Sequence, residues 1–263
     1  MAYPINVVVD IGGSGAKLAL STRSGLQNIR HEHPNSLQDF FDCIRKLTGG
    51  LAPDALAVAV PGIMRGREVL SAPKTPWLCG NPAETIRRKL SLNDKKIHLI
   101  NDGEAHALAL KTRPNIKLGA IHLSIGSAVG FGVLNGNGEV LRTLSGNNWE
   151  IGDVRLVTNA PDKEAWRLLG SAGFEEQIKR TDADGGKYFG WRLGSFAAQL
   201  SLIFRPRTIG LSGGVIHHRW RQIEGGFREE LHRRLGHLGH VLSMPEVVVL
   251  DEYAALTGLS VLF

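Results

Sequence analysis

Two aspartates in this chain stand where apolar runs end. In "VVVDIGGSGAKLAL" (7–20), Asp10 follows a run of valines and precedes Gly12, Gly13, Ser14 and Gly15. In "KKIHLIND" (95–102), Asp102 follows Asn101 at the close of another apolar run, and the next segment, "GEAHALALKT", favours helix. Bare glycine N–H groups make an anion cradle, and a lone carboxylate on its rim would repel a phosphate. The carboxylate fits there if a divalent cation lies between the two. The alternative is an ordinary hairpin whose aspartate caps the turn. Asp102 sits where a strand gives way to a helix, the rim at which open α/β sheets bind ligands. A cap there contributes about 0.5–2 kcal/mol, and a general base contributes about 10²–10⁴ in rate. These residues alone leave both readings open.

The glycine turn can be sorted by its neighbours. A P-loop needs Gly-Lys followed by Ser or Thr, but Lys17 lies between Ala16 and Leu18. A dinucleotide fingerprint fits Gly13 and Gly15 but meets Leu18 in place of its third glycine. "AKLALST" is short and bounded by turn residues, so it reads as a returning strand. The glycines are expected to accept positive φ. The pattern recurs in "AIHLSIGSAVGFGVLNGNGEV" (120–140), with Asp10 aligned to Ser124 and Gly12 to Gly126. A strand-turn-strand unit opening each half suggests two similar lobes, whose turns face one another across a phosphate chain.

Other segments must position these groups. "ALAVAV" (55–60) reads as a buried strand broken at Pro61-Gly62. "SGNNWEIGDVRL" (145–156) gathers Asn147, Asn148, Glu150 and Asp153 around one Trp, a set suited to polyol hydroxyls and a sugar ring, or else a surface loop. "RTIGLSGGVIHHRW" (207–220) reads as strand, Ser-Gly-Gly turn and helix, where a flat ligand can approach the backbone. "EVVVLDEYAALTGLSVLF" reads as a strand and an apolar helix.

The bulk numbers exclude some classes. The chain has 263 residues, enough for one large or two ordinary domains, and is 43% hydrophobic. No apolar run is long enough for a membrane span, and no secretion leader is expected at the start. Cys43 and Cys79 are read as reduced thiols in the cytoplasm. The net charge of +6 is partly local: 217–240 carries five arginines against three glutamates, with Phe227, Leu231 and Leu235 at helical spacing. A helix with a solvated basic face is expected. The pairs His31/His33, His217/His218 and His237/His240 lack further ligands at zinc spacing.

Taken in order, the runs "DIGGSGAK", "AVAVPGIM", "NDGEAHALA", "WEIGD" and "LSGGV" resemble those of the bacterial ROK sugar kinases, members of the actin-like ATPase superfamily. The pattern is most similar to the polyphosphate/ATP glucokinases. The resemblance implies an α/β, two-lobed, actin-like ATPase fold (a duplicated ribonuclease H-like unit) with an interlobe cleft. Residues 1–115 would form the N-terminal lobe, with the C-terminal helix 251–263 packing back on it, and 116–250 the C-terminal lobe. It implies a glucokinase-like hexose kinase that uses ATP or polyphosphate with Mg²⁺. Such an enzyme would be cytoplasmic and homodimeric, without nucleic acid or membrane partners and without structural zinc.

The resemblance also implies roles. Asp102 would be the base on the sugar hydroxyl. Asn101, Glu150, Asp153, Gly62 and Trp77 would meet the sugar. Asp10, Gly12, Gly13, Ser14, Lys17, Ser124, Gly126 and Ser127 would hold phosphates and metal, with Asp10 reaching Mg²⁺ through water. Gly213 and Gly214 would take the adenosine side. The chain departs from the family in three places. Ser124-Ile125-Gly126 replaces Gly-Thr-Gly, Asp153 replaces a histidine, and "SAPKTPW" lacks the asparagine expected before Trp77. The altered second turn motivates an alternative, a non-catalytic sugar sensor on the same scaffold. The family's repressors carry an N-terminal DNA-binding domain, whereas this chain starts at its first strand. The basic 217–240 segment raises polyphosphate as a donor.

Overall fold

A computed structural model of the protein describes residues 4–93, 96–156, 163–181, 184–239 and 243–263. His240 and the stretch 157–162 lie outside the described residues. The chain divides into two compact units: residues 1–114, 142–149 and 253–263 form the first, and 115–141 and 150–252 the second.

The first unit is built on strands β1 (Asn6–Gly12), β2 (Gly15–Thr22), β3 (Gly25–Glu32), β4 (Ala55–Val60) and β7 (Ile97–Asn101), in the order β3-β2-β1-β4-β7. β1, β4 and β7 are parallel, and β1-β2-β3 are antiparallel. A side ribbon pairs β5 (Ile63–Arg65) with β6 (Glu68–Ser71). The valines of β1 fill both faces of the sheet, as expected of a central strand. Val7, Val9 and Ile11 pack with Phe40 and Ile44 of α1 (Leu37–Leu47) and Ile86 of α2 (Pro82–Leu90). Val8 and Ala19 turn to the other face, against Ala105 of α3 (Asp102–Leu108) and Leu256 and Leu259 of α8 (Ala254–Ser260). Side chains alternate along a strand, so Asp10 shares the Val8 face. α3 and α8 cross at backbone distance: a Cβ on Gly258 would lie 1.8 Å from the Ala105 carbonyl oxygen.

The second unit repeats part of this plan. Strands β8 (Ala120–Ile125), β9 (Val129–Leu134), β12 (Thr208–Ser212) and β13 (Glu246–Val249) run in the order β13-β12-β8-β9. β8 and β9 form an antiparallel hairpin, while β12 is parallel to both β8 and β13. Each unit thus sets a hairpin beside parallel strands, as the aligned glycine turns suggest. A short ribbon joins β10 (Arg155–Leu156) to β11 (Lys163–Glu164), followed by α4 (Ala165–Leu169) and α5 (Ser171–Thr181). α6 (Gly185–Phe204) packs on α7 (Gly214–Leu235) through small residues. A Cβ on Gly190 would meet the Ile223 oxygen at 2.2 Å, and one on Gly226 the Lys187 oxygen at 2.1 Å. The expected helix over 217–240 ends as α-helix at Leu235, with Phe227, Leu231 and Leu235 all buried.

One segment departs from the expected lobes. Residues 142–149 belong to the first unit although the sequence reading places them within 116–250. Two tethers hold them there. The Arg142 guanidinium donates to both Glu104 oxygens, Nε to Oε1 at 2.7 Å and Nη2 to Oε2 at 2.8 Å. The Met64 N–H donates to Asn148 Oδ1 at 2.7 Å. The four polar residues of 145–156 are therefore split, Asn147 and Asn148 in the first unit and Glu150 and Asp153 in the second.

Candidate active site

The parallel strands of the first unit bring three candidate segments to one rim. Gly12 ends β1, Val60 leads into Pro61-Gly62, and Asn101 ends β7. The register pairs Asp10 with Ala59, and Ala59 with Ile100. Asp10 and Ile100 are thus level, two strand spacings or about 10 Å apart, and Asp102 lies just beyond Ile100.

The β1–β2 turn has a two-residue tip, Gly13-Ser14, closed by the pair Gly12–Gly15. Gly15 adopts φ +139°, whereas Gly12 and Gly13 are outside the left-handed region. The expectation of positive φ through the turn is therefore corrected, and what lies over Gly13 is a flexible side chain. A Cβ there would lie 2.6 Å from Lys74 Nζ and 2.7 Å from Lys74 Cδ. Both tip residues are exposed.

Asp10 is partly buried, and burial pushes its pKa up to about 6 against the opposing pull of Lys17. Lys17 is its cross-strand partner, with Nζ 5.4 Å from the centre of the Tyr253 ring. Lys17 thus lies beside Asp10 on the sheet, three residues after the Gly13-Ser14 tip. Among the described residues no group of three His, Cys, Asp or Glu forms a metal cage. A single carboxylate beside an anion turn fits a Mg²⁺ carried in by substrate phosphates, which takes one or two protein carboxylates and keeps several waters.

Asp102 is the first residue of α3 and is partly exposed, with its Oδ1 accepting from Gly103 N–H at 2.9 Å. The helix start beneath it is a capping box: Asn101 Oδ1 accepts from Gly103 N–H at 2.9 Å, and Asn101 N–H donates to Glu104 Oε2 at 3.3 Å. Glu104 is buried and its charge is met by Arg142. Asn101 Nδ2 donates to the Gly62 carbonyl at 2.9 Å, and Asn148 Nδ2 donates to the same carbonyl at 3.2 Å. Gly62 has φ +103°, and a Cβ on it would lie 2.1 Å from the Ser71 oxygen, so no other residue fits. Trp77, expected as a sugar contact, lies in the turn Pro76–Leu78 and packs on the core, 6.2 Å from the Phe40 ring. Two buried oxygens nearby have no hydrogen-bond partner, Thr75 Oγ1 and Asn147 Oδ1. Composition gives no signal for either. A shallow recess lined by Asn6, Asp54, His98 and Phe263 lies at the opposite, amino ends of the strands.

In the second unit, Ser124 and Gly126 flank Ile125 at the end of β8, and the loop continues through exposed Ser127. Ser124 pairs with Ser212 of β12, and Gly213 follows with φ +92°. A Cβ on Gly213 would lie 2.5 Å from the Ile125 oxygen. The two glycine turns the sequence reading treated separately are therefore in backbone contact. Gly214 opens α7 and is exposed, leaving the helix's first N–H groups accessible. Gly126 O accepts from Ser171 N–H at 2.8 Å, and Gly170 would clash with the Ser127 oxygen (3.1 Å) if it carried a Cβ. Glu150 and Asp153 are exposed around the turn Ile151–Asp153, whose Gly152 lies against the Val129 oxygen.

Three of the five arginines of α7 are matched within the helix. Arg228 pairs with Glu224, and Glu230 takes both Arg233 and Arg234. These bonds hold the Glu230 carboxyl below its usual range, Arg233 contributing most.

Comparison with known proteins adds a partial family match and a shared fold. The glucokinase family model matches residues 7–135. No curated protein matches the chain. Solved structures do, at low identity over nearly the whole length. A ROK family protein of Streptococcus pneumoniae, in complex with sucrose, has a TM-score of 0.79 at 19% identity over 98% of this chain and 96% of its own. A ROK family glucokinase of Streptomyces griseus, in complex with glucose and AMPPNP, has a TM-score of 0.75 at 18% identity over 98% of each chain. A ROK family transcriptional regulator, a homologue of the Escherichia coli Mlc protein, has a TM-score of 0.74 at 17% identity over 98% of this chain and 77% of its own. No helix among the described residues is long and apolar enough to cross a membrane. The chain has the α/β, actin-like ATPase fold of the ROK proteins, and its residues 7–135 match the glucokinase family.

Proposed function

We propose that the protein is a hexose kinase that transfers the terminal phosphoryl group of ATP to a sugar hydroxyl. The observation that carries this reading is the shared rim: Asp102 at the head of α3, level with the glycine turn after β1 and above the doubly anchored Gly62 carbonyl. Asp102 takes the proton of the attacking hydroxyl. Gly62, Asn101, Glu150 and Asp153 are assigned to the sugar, with Asn147 Oδ1 a further acceptor for a hydroxyl. Asn148 is assigned to holding the backbone. The turn of Gly12, Gly13 and Ser14 is assigned to phosphate oxygens, as is the turn of Ser124, Gly126 and Ser127. Gly213 and Gly214 are assigned to the nucleotide. Asp10 would hold a hydrated Mg²⁺, which neutralises phosphate charge. In such transfers, positioning and electrostatics supply most of the catalysis.

ATP is preferred over polyphosphate because three of the five α7 arginines, Arg228, Arg233 and Arg234, already have carboxylate partners, which leaves a weaker track for a long polyanion. The test is a coupled assay of the purified protein on a hexose panel, with ATP and polyphosphate in parallel, alongside Asp102→Asn. Transfer that vanishes in Asp102→Asn while sugar binding persists supports the reading. Undiminished turnover in that variant overturns the assignment of the base.

A second reading, a non-catalytic sugar sensor, draws on the likeness to the transcriptional regulator and on Trp77 being packed into the core. Calorimetry separates the two: a sensor binds sugar and gives no heat with Mg-ATP.

A further inference from the structure

Lys74 is a residue of the first unit to which the family pattern assigns no role. It stands in "SAPKTPW", one of the three places where the sequence departs from the family pattern it resembles. The chain leaves β6 directly beside Gly62: a Cβ on that glycine would touch the Ser71 oxygen at 2.1 Å and the Ala72 Cα at 3.0 Å. Thr75 N–H then donates to the Ala72 carbonyl at 3.0 Å, closing a turn with Pro73 and Lys74 at its corners. Proline at the first corner fixes its φ, so the turn is stiff. Thr75 is buried, which anchors the turn from below. From this base Lys74 extends to the other side of the rim. Its Nζ, Cδ and Cε lie 2.6, 2.7 and 3.2 Å from the place a Gly13 Cβ would occupy. A single side chain thus runs from beside the Gly62 corner to the tip of the first glycine turn.

That path has a chemical meaning. The Gly62 corner is anchored to Asn101, next to Asp102, and the glycine tip offers backbone N–H groups. A group passing from a donor at the tip to a hydroxyl at Asp102 must cross the span that Lys74 covers. An ammonium over bare N–H groups suits a compact, multiply charged tetrahedral anion, for which lysine acts as a point charge. A side chain at position 13 would occupy the place the Lys74 ammonium takes over the tip.

We propose that Lys74 is a catalytic residue that contacts and neutralises the phosphoryl group in transfer, docked over Gly13. The proposal rests on the kinase reading above. In the step it serves, the acceptor O–H bond breaks and its proton passes to the Asp102 carboxylate. The acceptor oxygen bonds to the terminal phosphorus as the bond from that phosphorus to the bridging oxygen breaks. The electron pair of that bond leaves with ADP. Lys74 stays protonated throughout and offsets charge on the equatorial oxygens. Removing one such preorganised group costs about 10²–10³ in turnover.

Three variants test it: Lys74→Met, Lys74→Arg and Lys74→Glu. Each is first shown by thermal melting to be folded. Kinetics are read with the best hexose of the panel and Mg-ATP. Lys74→Met is expected to lower kcat about 10²–10³-fold with the hexose KM within about threefold, and Lys74→Arg to recover part of the loss. A Lys74→Met enzyme with kcat within about threefold of wild type overturns the proposal. So does a variant that changes only the hexose KM, the mark of a lysine reading an acidic sugar. A binding arm needs no turnover. Inorganic pyrophosphate is titrated calorimetrically into wild type and each variant. Affinity is expected to fall about tenfold or more in Lys74→Met and further in Lys74→Glu; each tenfold is 1.4 kcal/mol. Equal pyrophosphate affinity in all four proteins overturns the role of Lys74 whether or not any hexose is phosphorylated. Lysine-dependent pyrophosphate binding without phosphorylation of any hexose keeps the anion contact and overturns the kinase reading.

Discussion

Asn101 and Asn148 donate to one acceptor, the Gly62 carbonyl, at 2.9 and 3.2 Å. The first asparagine ends β7 and caps α3, and the second belongs to the segment 142–149 that crosses back onto the first unit. Their shared carbonyl ties the corner after β4, the base of Asp102 and the crossing segment into one network. Asn148 also receives the Met64 N–H at 2.7 Å in a buried setting. Asn148→Ala would strand the Met64 N–H, while the Gly62 carbonyl would keep its bond from Asn101. An unsatisfied buried group costs about 1–3 kcal/mol, and a loss in that range is expected in urea unfolding. Hexose affinity should fall with it. Unfolding curves that superimpose on wild type would remove the network from the account.

The Glu104–Arg142 pair is the second tether of the crossing segment, with the carboxylate side chain 3% exposed. Deleting the partner of a buried charge costs about 3–5 kcal/mol, more than the pair itself contributes. Arg142→Met should therefore be severely destabilised, and Arg142→Met with Glu104→Leu should regain much of the loss. Equilibrium unfolding of the single and double variants checks this, and strictly additive losses would contradict it.

Asp10 carries a pH signature. Its pKa rises from an ordinary 3.8 to about 6 in the folded chain. Between these values the folded state binds more protons than the unfolded state, so stability falls as pH rises through the window. Below it the aspartate is neutral in both states. Above about pH 6 the full burial cost is present, roughly 3 kcal/mol. In metal-free buffer Asp10→Asn is thus expected to melt higher than wild type at pH 7.5, with the gap closing by pH 4. The same variant should lose activity at saturating Mg-ATP. A melting advantage independent of pH would show that burial of the charge is not its source.

Gly213 is the corner on which the second unit's two turns meet. Any larger residue there is opposed twice, by φ +92° and by the Ile125 oxygen 2.5 Å from its Cβ. Gly213→Ala should weaken Mg-AMPPNP at least tenfold in calorimetry and leave hexose binding within about twofold. Loss of both would mean that the substitution unfolds more than the turn.

If α7 were a polyphosphate track, activity with that donor would fall steeply with salt, by counterion release. The carboxylates paired with Arg228, Arg233 and Arg234 argue for a shallow dependence. Polyphosphate-driven turnover that drops about 10³-fold or more between 50 and 200 mM salt, the scale of six or more phosphate contacts, would restore the track.

By itself the sequence determined the local elements that carry the chemistry. The apolar runs ending at Asp10, Val60 and Asn101, the returning strand after the first glycine turn, the Ser-Gly-Gly corner before α7 and the apolar terminal helix are legible because periodicity and turn residues act over a few neighbours. The tertiary structure alone decided what those elements share. Strand order placed Asp10 and Ile100 at one level, with Asp102 just beyond. Packing drew Trp77 toward Phe40, and Lys17 toward Tyr253. The close backbone contacts at Gly213 and Gly258 depend on residues far away in the chain, which no local pattern encodes. The assignment of 142–149 to the first unit is of the same kind, because it rests on a buried carboxylate and a carbonyl that need partners from another part of the chain.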